Sequence, residues 1–289
     1  MPMVNYKMGK QNNGINAYRT IVGGEAIDEL RIIASKLKDK SIQNINSTSL
    51  GGGVAEILSR IIPLMHDLDI NIWWNVIKAD ERFFEITKKI HNGLHGVDVS
   101  IGRDDFNYFV HVSRINADNV KRWADIVFIH DPQPIGLVRQ KRRLKNKWVW
   151  RCHVDFSRPK PLVWSFLKKF IEKFDATVFS AAAFSHPLKI PQILIQPSID
   201  PLSDKNIELE KDFIDSVLNK FGIDKDKPII TQISRFDYLK DPLGVIKAYK
   251  QVRKYIDCQL VLAGGGAADD PEGKMVLEEV ENEAASDRD

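Results

Sequence analysis

The stretch "SIQNINSTSLGGGVAEILSRIIPLMHDLDINIWWNVI", Ser41 to Ile77, decides the fold. "SIQNIN" reads as a strand, and "INIWWNVI", rich in β-branched and aromatic residues, reads as a second. Between them "GGGVAEILSRIIPLMHDL" carries apolar side chains at helical spacing. Strand, helix, strand is the repeat of a parallel sheet covered by helices on both faces. Gly51, Gly52 and Gly53 stand where the first strand turns into the helix. With no β-carbon they let a ligand approach the backbone, and the helix that follows offers amides to an anion or a hydroxyl-rich group. No Lys follows the last glycine, so this is not G-x-x-x-x-G-K-[ST]. Ala55 and Glu56 stand where the third glycine of G-x-G-x-x-G would fall.

The alternation extends outward. Upstream, "EAIDELRIIASKLK" places Ile27, Leu30, Ile33, Ala34 and Leu37 on one face of an amphipathic helix, after a polar start. Downstream, "DERFFEITKKIHNGL" predicts a helix, followed by a polar stretch without an element to about Asn119. Then "ADIVFIHD" reads as a strand, "PQPIGLVRQKRRL" as a helix, "KWVWRCHVD" as a strand and "PLVWSFLKKFIEKF" as a helix, with "DATVFSA" and "QILIQPSID" as further strands. Residues 1–200 thus form a doubly wound, Rossmann-like α/β domain with a helical N-terminal extension. "PSIDPLSDKN" supplies a hinge, and residues 201–289 form a partial second domain of the same class. Only "KPIITQIS" and "CQLVLAGGG" read as strands there, where open sheets usually have about 4–6.

Composition narrows the function classes. The 289 residues are 43% hydrophobic and 28% charged with a net charge of +3, too small to imply nucleic acid. The basic run "RQKRRLKNK" has no interleaved aromatics and reads as a solvated helix end. Cys152 and Cys258 form no C-x-x-C pair, so a reducing, cytoplasmic setting is expected. The first twenty residues lack a signal-peptide h-region, and no run approaches the ~18 apolar residues of a membrane span.

In a parallel sheet, ligands bind outside the carboxyl ends of the strands. The first strand delivers the triple glycine there, "ADIVFIHD" delivers His130 and Asp131, and "WVWRCHVD" delivers Arg151, His153 and Asp155. "ITQISRFDYLKDP" delivers Ser234, Arg235, Asp237 and Lys240, and Gly264 to Gly266 follow the last strand. Arg235 as a fork and Lys240 as a point charge suit a diphosphate, or are ordinary surface cations. His153 is a site residue or a packed core histidine. Asp131 accepts from sugar hydroxyls or caps the helix starting near Pro134. "HNGLH" has metal-ligand spacing but lacks the Glu of H-E-x-x-H, and no metal site is expected. The pairs Trp73–Trp74 and Trp148–Trp150 stack on sugars or fill the core.

Taken together, "NSTSLGGGVAEIL", "HDPQP", "WRCHVD", "PSIDPLSDKN", "KPIITQISRFDYLKDP" and "DDPEG" resemble the glycosyltransferring trehalose synthases, a retaining GT-B group that includes fungal trehalose phosphorylases. The likeness runs from about Ile21 to about Glu281. It implies a GT-B-like fold, a nucleoside-diphosphate glucose donor, free glucose as acceptor, α,α-trehalose as product in a reaction that can be reversible, and no required cofactor or metal. It implies that Gly52 and Gly53 lie over the sugar and phosphate, that Asp131 and His153 contact sugar hydroxyls, and that Arg235 and Lys240 stabilise the departing diphosphate, with Gly51 and Ser234 as further substrate-binding residues. Partners are then small-molecule sugars, with no nucleic acid and no membrane. Dimerisation is common in such enzymes. The family's acidic E-x7-E-type motif is missing, so a C-terminally truncated chain is expected. Trehalose phosphorylase and a non-catalytic sugar-binding fragment remain the alternatives. A Rossmann dehydrogenase ranks last, since no acidic residue follows the glycines at ribose spacing.

Overall fold

Parallel pairing follows the strand–helix alternation. The computed structural model describes residues 4–5, 14–118, 120–121, 123–143, 145–265 and 271–285. The chain divides into two units, Met1–Asp200 and Pro201–Asp289. In the first, the strands are β1 (Val4–Asn5), β2 (Ser41–Asn46), β3 (Asn71–Val76), β4 (Ile126–His130), β5 (Lys147–Cys152), β6 (Ala176–Phe179) and β7 (Gln192–Leu194). They form one sheet in the order β1-β3-β2-β4-β5-β6-β7. Every pairing is parallel except that of β1, which lies antiparallel on β3 with Val4 opposite Val76. The helices of this unit are α1 (Arg19–Val22), α2 (Gly24–Ser35), α3 (Gly53–Asp67), α4 (Glu81–Leu94), α5 (Arg103–Ala117) and α6 (Pro161–Ile171).

Side-chain alternation along the strands divides the core into two layers. Ile45, Val127, Ile129, Trp148 and Trp150 meet residues of α4, α5 and α6, among them Phe83, Phe109 and Leu167. On the other layer Ile42, Ile72 and Trp74 meet Ala34 of α2 and Ala55, Leu58 and Ile62 of α3. All six residues of β2 are buried, as a central strand requires. The chain leaves β2 for β3 on one side and takes up β4 on the other, so the strand order reverses beside β2. In open parallel sheets that reversal marks the ligand crevice.

Two departures from the sequence reading are instructive. The stretch expected to lack an element contains α5, a fifteen-residue helix. Its buried face includes Ser113 and Asn116 beside Phe109, Val112 and Ala117, and the two polar residues break the apolar period. The segment expected as a helix after β4 is a 3-10 helix, Ile135–Arg143. Pro132 and Pro134 remove amide donors at its entry, and the turns close through Ile135 N–H to Pro132 O and Leu137 N–H to Pro134 O. The basic run is partly engaged. Lys141 Nζ lies 2.9 Å from Asp175 Oδ2 and donates to the carbonyl of Lys173.

The second unit contains α7 (Lys211–Lys220), β8 (Ile229–Ile233), α8 (Pro242–Val252), β9 (Gln259–Ala263) and α9 (Gly273–Ala285). Its two strands pair in parallel, from Ile229 opposite Gln259 to Ile233 opposite Ala263. No helix among the described residues is long and apolar enough to cross a membrane.

Candidate active site

In the first unit the glycines form the turn from β2 into α3. Gly51 and Gly52 have φ of 72° and 92°, values that favour glycine. Gly52 is the N-cap of α3, with no side-chain hydrogen bond on it. A β-carbon at Gly52 or Gly53 would meet nothing within 4 Å. Backbone conformation, rather than crowding, therefore requires glycine at position 52, and the loop borders open space.

In the same sheet, three side chains from adjacent strands join in a line. Asn44 of β2 places Oδ1 3.0 Å from Nε2 of His130, the last residue of β4. His130 Nδ1 lies 3.0 Å from Nε2 of His153, just past β5. The two rings are nearly parallel, with centroids 5.3 Å apart. Register explains the meeting: His130 stands opposite Arg151, so the next residue on the same face past β5 is His153. Asp131 has φ 62° and its Oδ1 accepts from the His153 amide at 2.7 Å, while its carbonyl accepts from Trp150 Nε1. The carboxylate thus ties the exit of β4 to that of β5, a use beyond the two foreseen for it.

Electrostatics keep this line uncharged. Burial, then His153 and the Arg151 guanidinium, hold His130 well below the usual imidazole range. Burial and Arg151 push His153 down to about 3. Arg151 is itself lowered by burial, against the opposing pull of Asp131. Its Nη2 donates to Ile195 O at 3.3 Å, and its buried Nε has no partner. Asn44 Nδ2 is likewise buried and unpartnered.

In the second unit, Ser234, Arg235 and Lys240 lie on the connection that leaves β8. Ser234 N–H donates to Ala263 O at 3.0 Å, and its Oγ donates to the carbonyl of Arg235. Arg235 Nη2 lies 3.8 Å from Oδ2 of the buried Asp237, whose Oδ1 accepts from Leu239 N–H. Lys240, exposed, ends the short 3-10 turn Tyr238–Lys240. Asp241 follows at φ 50°, its carboxylate capping α8 through Gly244 N–H. A β-carbon on Gly264 would sit 2.0 Å from Ser234 O, so the two strand exits touch backbone to backbone there. Gly266 lies outside the described residues.

The structure thus ties Asp131 to the backbone of His153 at the exits of β4 and β5, and carries Ser234, Arg235 and Lys240 on the connection that follows β8 in the other unit. Trp74, Trp148 and Trp150 are core residues. His91 and His95 have ring centroids 4.8 Å apart, but no group of three or more His, Cys, Asp or Glu that could hold a metal occurs among the described residues. Sequence reasoning passed over Asn44. Its signal was present: Gln43, Asn44 and Asn46 are polar residues in a strand that must be buried on both faces.

Comparison with known proteins places the chain. A sequence profile described as "Trehalose synthase, N-terminal domain" matches residues 44–186, and one described as "Glycosyl transferases group 1" matches residues 214–285. The chain is 39% identical over 288 residues to a trehalose synthase of Thermococcus litoralis, covering 98% of this chain and 70% of that protein. It is 27% identical over 318 residues to a trehalose phosphorylase of Grifola frondosa, covering 92% of this chain and 42% of that one. A UDP-forming α,α-trehalose-phosphate synthase from Burkholderia xenovorans, solved with glucose-6-phosphate, superposes with a TM-score of 0.64 at 14% identity, covering 86% of this chain and 70% of that one. The last likeness is one of fold, and that fold is of the GT-B type.

Proposed function

This chain belongs to the trehalose synthase family, a group of glycosyltransferases, and we propose that it transfers glucose from a nucleoside-diphosphate glucose to free glucose, forming α,α-trehalose with retention. The observation that carries the reading is that Arg235 and Lys240 both lie on the connection between β8 and α8. A guanidinium fork and an ammonium on one short connection suit the two phosphates of a nucleotide sugar. Charge that builds on the departing diphosphate is compensated by these two groups, and such stabilisation is commonly the largest part of a transferase's rate. In the first unit, neutral His153 and the Asp131 carboxylate hydrogen-bond sugar hydroxyls.

The C1–oxygen bond to the diphosphate breaks while the acceptor oxygen bonds C1 from the same face. The acceptor's proton passes to the leaving phosphate oxygen. No enzymic nucleophile is consumed, and atoms and charge balance without a third reactant. With Arg235 and Lys240 in that role, turnover should be unaffected by a chelator such as EDTA.

A panel of nucleoside-diphosphate glucoses with glucose, with glucose-6-phosphate, and with no acceptor tests the reading, scoring diphosphate release and disaccharide. Glucose-dependent trehalose with stoichiometric diphosphate is the expected result. Trehalose consumed in the presence of inorganic phosphate and no nucleotide would replace it with a phosphorylase. Glucose binding without turnover under every donor would replace it with a sugar-binding role.

A further inference from the structure

The line Asn44–His130–His153 has a direction. With Oδ1 of Asn44 assigned as the atom facing His130, that oxygen can only accept, so His130 must carry its proton on Nε2. A neutral imidazole has one N–H, which leaves His130 Nδ1 as an acceptor. His153 Nε2, 3.0 Å away, must then be the donor, and the remaining nitrogen of His153, Nδ1, is left bare. The step requires both rings to be neutral, and burial of the pair beside Arg151 meets that requirement. Asp131 fixes the backbone of His153 through its amide, so the ring has an anchored stem as well as a fixed proton.

We propose that Asn44 and His130 are positioning residues that lock His153 as the Nε2–H tautomer, so that its Nδ1 accepts a hydrogen bond from a hydroxyl of the sugar. This rests on the reading of His153 as a sugar contact. It adds a rule of recognition: the position facing His153 must be a hydroxyl that donates. A sugar carrying fluorine there, which accepts but cannot donate, loses the bond, and one lacking the oxygen loses it equally.

The test uses the whole chain labelled with 15N-histidine. Long-range proton–nitrogen correlations identify the tautomer of each ring, and His153→Gln assigns the signals of His153. The expected spectrum has His153 protonated on Nε2 and bare on Nδ1, with the Nδ1 signal moving as glucose is titrated in. His130→Phe should release the lock and mix the two tautomers, raising KM for glucose about tenfold, the worth of one hydrogen bond, with kcat little changed. Asn44→Leu removes the acceptor that faces His130 and should behave like His130→Phe. A wild-type spectrum with His153 protonated on Nδ1 overturns the proposal, and needs no variant to fold. So does a His130→Phe protein whose His153 tautomer and glucose KM match wild type. The expected tautomer with an Nδ1 signal blind to saturating glucose overturns instead the sugar contact itself, which tells failure of the relay from failure of the functional reading.

Discussion

Two neutral imidazoles within hydrogen-bonding distance make acid a specific stress on this protein. His153 is pushed down to about 3 and His130 lies well below its ordinary value, while in the unfolded chain both titrate near 6.5. Between those limits the unfolded chain binds protons that the native one refuses. The stabilisation is therefore complete above pH 6.5 and is lost as pH falls, by at most about 1.4 kcal/mol per pH unit for each ring. Asp80, Asp125 and Asp175 are shifted downward from an ordinary value of 3.8, so their contribution is lost only at lower pH. Urea midpoints should accordingly fall between pH 6.5 and 5, and His153→Gln should flatten that slope. An unchanged slope in the variant would show that other groups set the acid limit. At the opposite unit, Arg235→Ala should lower kcat/KM by about 100-fold or more, a typical loss for a group that stabilises transition-state charge. Arg235→Lys keeps a charge beside buried Asp237 but loses the fork, so it should recover folding and only part of the rate. A kcat/KM of Arg235→Ala within a few fold of wild type would remove Arg235 from the diphosphate site.

The fit between elements is tight where α5 meets the 3-10 helix after β4. A β-carbon on Gly136 would lie 2.3 Å from Ser113 Oγ and 2.7 Å from Ser113 Cβ, contacts that require movement. Gly136→Ala should cost about 1–3 kcal/mol, the usual range for overpacking a filled interior. Adding Ser113→Ala removes the nearer atom but not the β-carbon, so a double-mutant cycle should show partial rescue. Full additivity would mean that the backbone yields elsewhere. This contact also explains what the sequence concealed. Strands β3 to β6 were legible because β-branched and aromatic residues crowd them between turn signals. α5 was not, because Ser113 and Asn116 occupy its buried face for reasons outside the helix. Ser113 Oγ donates back to Phe109 O, while Asn116 bonds both the amide and the carbonyl of Lys78, 38 residues away. A helix whose polar residues serve a distant loop cannot announce itself by period. The site was half legible for the same reason. Placing His153 and Asp131 at strand ends needed only the chain order, whereas pairing His153 with His130 and Asn44 needed the register of three strands.

Across the whole molecule the two units differ in how much they bury. Among the described residues the first rests on a sheet of seven strands with a core on each face, whereas β8 and β9 have one neighbour each. Among the described residues the buried apolar side chains of the second unit are Pro242, Ile246, Cys258, Val276 and Val280. Phe213, Phe221, Ile233 and Tyr255 are 56%, 68%, 74% and 85% exposed there. Since apolar burial contributes about 25 cal/mol per Å², a unit with so little of it should open at a smaller free energy than its neighbour. Native-state hydrogen exchange should show this as faster exchange in β8 and β9 than in β2 and β4, with the gap closing only near global unfolding. The same experiment reports on function, because a ligand protects the unit that binds it. A nucleoside-diphosphate glucose at 100 times its Kd should add about 2.7 kcal/mol of protection to openings that break its site. If Arg235 and Lys240 hold the diphosphate, that gain must appear in β8, β9 and the start of α8, and Arg235→Ala must abolish it. Equal exchange in the two sheets without ligand would refute the difference in stability. Protection by the nucleotide sugar confined to the first unit would refute the diphosphate site while leaving the stability argument standing.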